Sequence, residues 1–312
     1  TTEIYTLSLH DALPIFRLIS MALTLRKLEM FIQVADLGQV TRAGQALSMS
    51  QSAVSMALAE LESAAGGPLF LRQGRRLLLN DRGRLLLEPA REILRKIAQF
   101  ERLLSDSGEA PRGLLRIGAS TTIGNYLLPE YIAEFSRRYP EARATLQVGN
   151  TQQVEGALSR GEIDLGLIEG PSHAPQLEIL PWRDDELIVI AGRNHPLSRE
   201  PAVTMAMLTA ADWIMRESGS GTREVFEAAL ADCFGQVRIA LELGHTEAVK
   251  KAVEAGMGIA CLSRPAVQRE LDHGWLVEIK TALDLKRPLA ILLPRGASRT
   301  RLLQAFLERL EG

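Results

Sequence analysis

These 312 residues are expected to fold as an α/β multidomain chain: an N-terminal winged helix-turn-helix, a linker helix and a two-lobed body. Three observations lead there. Residues 21–80 carry apolar side chains at helical spacing, interrupted by a tight turn and followed by a basic hairpin pattern. Residues 81–104 keep apolar side chains at alternating steps of four and three. From residue 113 short apolar strands alternate with amphipathic helices, the pattern of a doubly wound parallel sheet.

Composition permits this. Hydrophobic residues make up 46% and charged residues 24%, enough apolar surface to offset chain entropy and exclude disorder over most of the length. No apolar run approaches the roughly 18 residues that span a bilayer, so no membrane association is expected. The two cysteines, Cys233 and Cys261, form no CxxC pair. With His10, His173, His195, His245 and His273 scattered, neither a metal nor any other cofactor is implied. A reducing, cytoplasmic setting fits. The first twenty residues read poorly as protein. TTEIYTLSLHDALPI (1–15) can be spelled by a common short-read sequencing adapter, 16–20 reads as upstream read-through, and Met21 as the natural start. Residues 1–20 are therefore expected to be a non-native extension.

The expected DNA-binding head covers 21–80. Leu25, Leu28, Phe31, Ile32 and Ala35 define a first helix that Gly38 stops. A short second helix, Thr41 to Leu47, turns Ala43, Ala46 and Leu47 inward. Ser50 suits the N-cap of a third helix, Gln51 to Ala64, with Val54, Leu58 and Leu61 buried. Gln51, Ser52, Ser55 and Met56 are then left at its exposed start, where such side chains meet base edges or phosphates. Thr41, Arg42 and Ser50 complete this expected DNA face. LFLRQGRRLLLN (69–80) reads as a hairpin wing, with Arg72, Arg75 and Arg76 placed to reach phosphates or a narrow minor groove. The charge bias is small: +3 over residues 21–112 against −4 over 113–312, within a net charge of −2.

The linker and hinge span 81–112. Leu86, Ala90, Ile93, Ile97, Phe100 and Leu104 form a heptad seam able to pair two helices, or to pack on the helix's own domain. Pro89 is expected to kink or restart the helix near its beginning.

In the body, strands are expected at 114–120, 144–149, 163–168, 186–192, 212–217, 237–244, 258–263 and 288–294. Helices are expected at 125–139, 152–160, 222–232, 246–255 and 298–310. The lobes are drawn as 113–183 with 286–312, and 184–285. Ligands of open parallel sheets bind at the carboxyl ends of strands, beside helix N-termini. Three loops qualify: Ser120, Thr121 and Thr122; Asn150 and Thr151; and Ser218 to Arg223, with Ser220, Thr222 and Arg223 as donors. Glycines, hydroxyls and helix starts favour a small anion: a sulfur oxyanion, phosphate or carboxylate. Glu169 and Thr246 are added as residues that could close the cleft. Helix capping is the bland alternative for each. Catalysis is not expected. GSG around Ser220 is no GxSxG elbow, GASTTIG lacks the lysine of a P-loop, and Asp184-Asp185 reads as a solvated corner.

LRKLEMFIQVADLGQVTRAGQALSMSQSAVSMALAELE followed by PLFLRQGRRLLLNDRG resembles the N-terminal domain of LysR-type transcriptional regulators, and the likeness extends from Met21 to Gly312. Met56 and the Gly66-Gly67 pair depart from the family pattern. The resemblance implies an effector domain similar to periplasmic binding proteins, with effector contacts in the three loops. It implies a linker helix that pairs two heads as a homodimer, or a homotetramer. The partners are then double-stranded promoter DNA, a small anionic effector, a second copy of the chain and RNA polymerase. A soluble small-anion binding protein, or an enzyme, without DNA function is the alternative; it leaves 21–80 unexplained.

Overall fold

The computed structural model describes residues 23–74, 76–105, 110–296 and 298–311, so the expected extension at 1–20 and Arg75 lie outside the described residues. The chain divides into two compact units that meet in sequence at Glu101 and Arg102.

The first unit opens with α1 (Leu25–Leu37), whose N-cap Thr24 accepts from the Lys27 N–H and which Gly38 ends at φ 65°. Its buried stripe is Leu28, Met30, Phe31 and Val34. Leu25, expected inside, is 44% exposed, because the helix starts there and the core begins a turn later. In α2 (Val40–Ala46) Ala43 and Gly44 are buried, whereas Ala46 faces out, contrary to expectation. Gly44 is needed: a Cβ there would come 2.8 Å from the Met49 carbonyl oxygen. The tight turn into α3 (Gln51–Ala64) holds Ser48 at φ 55°, and Ser50 caps the helix through the Ala53 N–H. Val54, Ala57, Leu58 and Leu61 point inward. The wing is an antiparallel pair, β1 (Phe70–Gln73) and β2 (Arg76–Leu79), anchored by Phe70 edge-on to Phe31 with ring centroids 5.7 Å apart.

Helix α4 (Asp81–Ser105) runs through Pro89 without a break, against the expected kink or restart. Pro89 is exposed, as is Leu85 one turn before it, so the i−4 carbonyl that proline cannot pair belongs to a residue on the exposed face. Leu87, Ala90 and Leu94 pack on the head's own core. Of the expected seam, Ala90 is thus consumed internally, while Leu86, Ile93, Phe100 and Leu104 stay exposed at 40–61%.

The second unit is built on one long sheet ordered β4-β3-β5-β11-β6-β9-β7-β8, with β10 also on β6. Its first lobe holds β3 (Gly113–Ser120), β4 (Ala142–Gly149) and β5 (Leu165–Glu169), mutually parallel. Helices α5 (Leu128–Arg138) and α6 (Thr151–Ser159) connect them, and a π-helical turn, Ile123–Leu127, precedes α5. The second lobe holds α7 (Met205–Ala210), β7 (Asp212–Arg216), α8 (Gly221–Ala229), β8 (Arg238–Leu243), α9 (Thr246–Glu254), β9 (Ile259–Ser263), α10 (Arg264–Asp272) and β10 (Leu276–Ile279). There β7 is parallel to both β8 and β9.

Two strands correct the expectation of a purely parallel sheet. β6 (Leu177–Gly192) is 16 residues long and continues from one lobe into the other. β11 (Lys286–Pro294) lies antiparallel between β5 and β6. The sequence reading starts β6 at 186, because Pro181 and the charged run after it resemble a loop. Residues 177–186 pair only with β11, so Pro181 sits on an open edge where a missing N–H is tolerated. α7, α10 and β10 are also additional to the expected elements. α11 (Arg301–Glu311) closes the first lobe by burying Leu302, Leu303, Phe306, Leu307 and Leu310. Each lobe has its own apolar core, centred on Phe135 and Phe306 in the first and on Trp213 and Phe226 in the second.

Candidate functional site

Where the lobes meet, the expected effector residues converge, but two buried arginines organise them. At the end of β5 the Glu169 carboxylate is fully buried. It accepts from Ser120 Oγ at 2.8 Å, the N–H groups of Thr122 (2.6 Å) and Ile123 (3.2 Å), and Thr222 Oγ1 at 3.2 Å. Arg287, at the start of β11, pairs with it at 2.7 Å, reaches Asp185 at 2.6 Å and also donates to Thr122 and Thr222. Burial pushes the Glu169 carboxyl upward, but Arg287, Ser120 and the two N–H groups outweigh it and hold it below its ordinary value. The helix start after β3 therefore does bind an anion, and that anion is Glu169 itself. Ser120, Thr122 and Thr222, expected to face a ligand, are here bonded to Glu169 and Arg287. Thr151 is similarly engaged, donating to the Glu169 carbonyl at 3.0 Å.

The second arginine, Arg216, ends β7 and is 3% exposed. Its Nη2 donates to Thr121 Oγ1 of the first lobe at 3.3 Å, and its Nη1 to Thr246 Oγ1 of the second at 3.2 Å. Glu217 receives its Nε at 2.8 Å and Nη2 at 2.9 Å, and also the Asn150 amide at 3.2 Å. Asn150 caps α6 in a reciprocal capping box with Gln153. Burial raises the Glu217 carboxyl, and Arg216 and Asn150 more than reverse this, leaving it below its ordinary value. A cation held between hydroxyls of both lobes, with an amide alongside, can receive a small oxyanion.

Of the third loop, Ser220 is buried at the start of α8 and makes no side-chain cap bond, while Ser218 is exposed. Arg223, expected as the cationic donor, is directed elsewhere. It pairs with Glu227 one turn along α8 at 2.6 Å and with Glu242 of β8 at 2.5 Å, and donates to the Arg216 carbonyl at 3.1 Å. The sequence reading missed Arg216 and Arg287. The available signal was an arginine at the carboxyl end of the apolar strand Trp213–Met215, at the ligand end of the sheet.

Side chains also clasp the lobes outside the Arg216 cluster. Tyr126, in the π-helical turn, hydrogen-bonds Glu247 of α9, and Lys250 lies 5.5 Å from the Tyr126 ring centroid. Burial and Glu247 push the Tyr126 phenol up to about 12. His173 meets Glu224 of α8 at 2.6 Å, and that partner raises its pKa.

On the first unit, Thr41, Arg42, Ser50, Gln51, Ser52 and Met56 are exposed and Ser55 half-buried, around the start of α3. Met56 is 64% exposed. Arg72 and Arg76 are exposed on the wing, on β1 and β2. Among the described residues no group of three or more histidine, cysteine, aspartate or glutamate side chains could hold a metal ion. No described helix is long and apolar enough to cross a membrane.

Comparison with known proteins agrees with this division. Residues 25–84 match the model of the bacterial regulatory helix-turn-helix protein, lysR family, and residues 108–312 that of the LysR substrate binding domain. The chain is 43% identical over 289 residues to YeiE of Escherichia coli, an uncharacterised HTH-type transcriptional regulator, covering 92% of this chain and 97% of that one. It is 31% identical to the transcriptional activator CmpR of Synechocystis, covering 92% and 94%. Among solved structures, the Synechocystis CcmR regulatory domain in complex with 2-PG matches at 32% identity and a TM-score of 0.60, covering 64% of this chain and 96% of that one. Full-length CbnR complexed with its target DNA matches in fold, at 20% identity and a TM-score of 0.63, covering 92% and 99%.

Proposed function

The chain belongs to the family of LysR-type transcriptional regulators, DNA-binding proteins with an effector-binding domain, and from that premise we propose how it reads its signal. The effector is a small anion received by Arg216 with Asn150 and Thr246, beside Thr121, whose hydroxyl steadies Arg216 while donating to the Gly149 carbonyl. The observation that carries this reading is the buried Arg216 guanidinium bonded to hydroxyls of both lobes. CcmR, whose regulatory domain was solved in complex with 2-PG, supports a small ligand for a domain of this kind. The protein works by binding and not by catalysis, in the cytoplasm.

The head presents Thr41, Arg42 and the start of α3 (Ser50, Gln51, Ser52, Ser55, Met56) to promoter DNA, with Arg72, Arg75 and Arg76 on phosphates or the minor groove. The stripe of α4 formed by exposed Leu86, Ile93, Phe100 and Leu104 with half-buried Ile97 pairs two copies, a dimer suited to a palindromic site and open to further pairing as a tetramer. Effector binding changes the balance between two arrangements of the assembly, and with it contact with promoter DNA and RNA polymerase. The shift is bounded by the effector's difference in affinity for the two states.

Calorimetry with a panel of small anions tests this on the full chain, beside anisotropy on a duplex from its own promoter region. Wild type is expected to bind at least one oxyanion, and Arg216→Met to lose that binding while retaining DNA affinity. Anion binding undiminished in Arg216→Met overturns the site.

A further inference from the structure

Arg216 is not waiting with a free face. Its Nε and one Nη2 proton form a two-pronged bond to the carboxylate of Glu217, its neighbour in sequence. Adjacent residues of a regular strand point to opposite faces. β7 ends at Arg216, however, and Glu217 opens the loop to α8, so its side chain turns back onto the guanidinium. The Asn150 amide grips the same carboxylate from the other lobe. Glu217 thus holds the fork geometry in which guanidinium groups bind carboxylate, sulfate and phosphate. Exposure differs sharply between the partners: 3% for the Arg216 side chain and 23% for Glu217. The carboxylate is the solvent-side member of the pair. The loop that carries it includes Gly219 at φ 84°, so its backbone follows a path that other residues rarely take.

We propose that Glu217 is a tethered substitute for the effector: its carboxylate occupies the Arg216 fork in the effector-free protein, and the incoming oxyanion must displace it to bind. This rests on the reading of Arg216 as the effector site and adds what the ligand must displace there. A ligand that replaces Glu217 presents two oxygens on one central atom, and so is a compact carboxylate, sulfur oxyanion or phosphate group. Once Glu217 has left, Nε and Nη2 of Arg216 and the Asn150 amide become its donors. Thr246, which accepts from Arg216, keeps its own hydroxyl proton for the ligand. The competition also sets a threshold: only an anion that outcompetes a carboxylate held at high local concentration is registered.

Two effects of Glu217 are separable. Its charge repels any anion, and its atoms fill the fork. Glu217→Gln removes the charge but leaves an amide of the same shape on Arg216. Glu217→Ala removes both. Calorimetry on the full-length protein with inorganic sulfate and, separately, acetate compares wild type, both variants and Arg216→Met. Displacement requires the order Ala, then Gln, then wild type, from tightest to weakest. Glu217→Gln is expected to gain about tenfold and Glu217→Ala at least a further fivefold, tenfold being about 1.4 kcal/mol. Sulfate and acetate distinguish a tetrahedral from a planar oxyanion. Equal gains in the two variants mean that charge alone acts, and overturn the proposal. Wild-type binding with no gain in either variant also overturns it, and leaves Arg216 as the effector site. Absence of binding in wild type and both variants overturns both readings, as does binding that Arg216→Met leaves intact.

Discussion

Arg287→Met tests the energetic centre of the effector unit. The Arg287 side chain is wholly buried and paired with two carboxylates, Glu169 at 2.7 Å and Asp185 at 2.6 Å. Methionine fills similar space without the charge. Removing one partner of a buried ion pair costs about 3–5 kcal/mol, because a charge is left without compensation. Here two are left. Glu169 retains Ser120 Oγ and the Thr122 and Ile123 N–H groups, and Asp185 retains Ser263 Oγ at 3.0 Å, which limits the damage. The loss at neutral pH is therefore expected near the top of that range and not at twice it, about 5 kcal/mol. Urea denaturation followed by tryptophan fluorescence reads this unit selectively, since Trp182, Trp213 and Trp275 all lie within it. The pH dependence adds a second check. The folded Glu169 carboxyl is held below its ordinary value, so its contribution is complete above the unfolded-state pKa. That contribution drains away as pH falls through the lower, folded value. In Arg287→Met the Glu169 carboxyl loses that support and protonates more readily, so the gap to wild type narrows on acidification. A loss below about 1 kcal/mol, typical of an exposed pair, refutes the reasoning. So does a gap that widens in acid.

Three further outcomes follow from the head and its helix. Arg72→Ala and Arg76→Ala together should weaken binding to all duplexes and reduce the slope of log affinity against log salt by about two, one per phosphate contact; an unchanged slope removes the wing from the backbone. Gly83→Ala should destabilise the first unit by about 1–3 kcal/mol, because its Cβ would lie 2.2 Å from the Leu69 carbonyl oxygen; an unaltered thermal melt of the head contradicts that packing. Phe100→Glu, at a position 61% exposed, should shift sedimentation toward the monomer without lowering head stability. Unchanged association takes the α4 stripe out of the dimer.

The head was legible because its signals are local. Ser50 as a cap, Gly38 as a stop, and the spacing of Val54, Leu58 and Leu61 each act within a turn or two of chain. The errors there, Leu25 and Ala46, are positions where a helix terminus or a neighbour decides burial. The three ligand loops were also placed at the ends of β3, β4 and β7, since hydroxyl-rich helix starts mark themselves. What their side chains do was not legible. Ser120 and Thr222 meet Glu169 across 49 and 53 residues, and Arg287 reaches it across 118. No local pattern announces that an apparent anion site is filled by the chain's own carboxylate. Pairing direction was hidden for the same reason: the return of β11 between β5 and β6 is a tertiary event.

The long strand β6 has a bearing on how a signal can leave the ligand. Two bodies joined by loops can swing apart like covers on a binding. Here a strand of 16 residues, about 54 Å at some 3.4 Å per residue, serves both lobes as a common spine. Its register against β11 slips once, where Arg183 faces Leu289 and Pro181 faces Ala290, leaving Trp182 as the extra residue. Such bulges concentrate twist. With one strand woven into both lobes, any rotation of one lobe against the other has to pass along that spine, and the bulge at Trp182 is its irregular point.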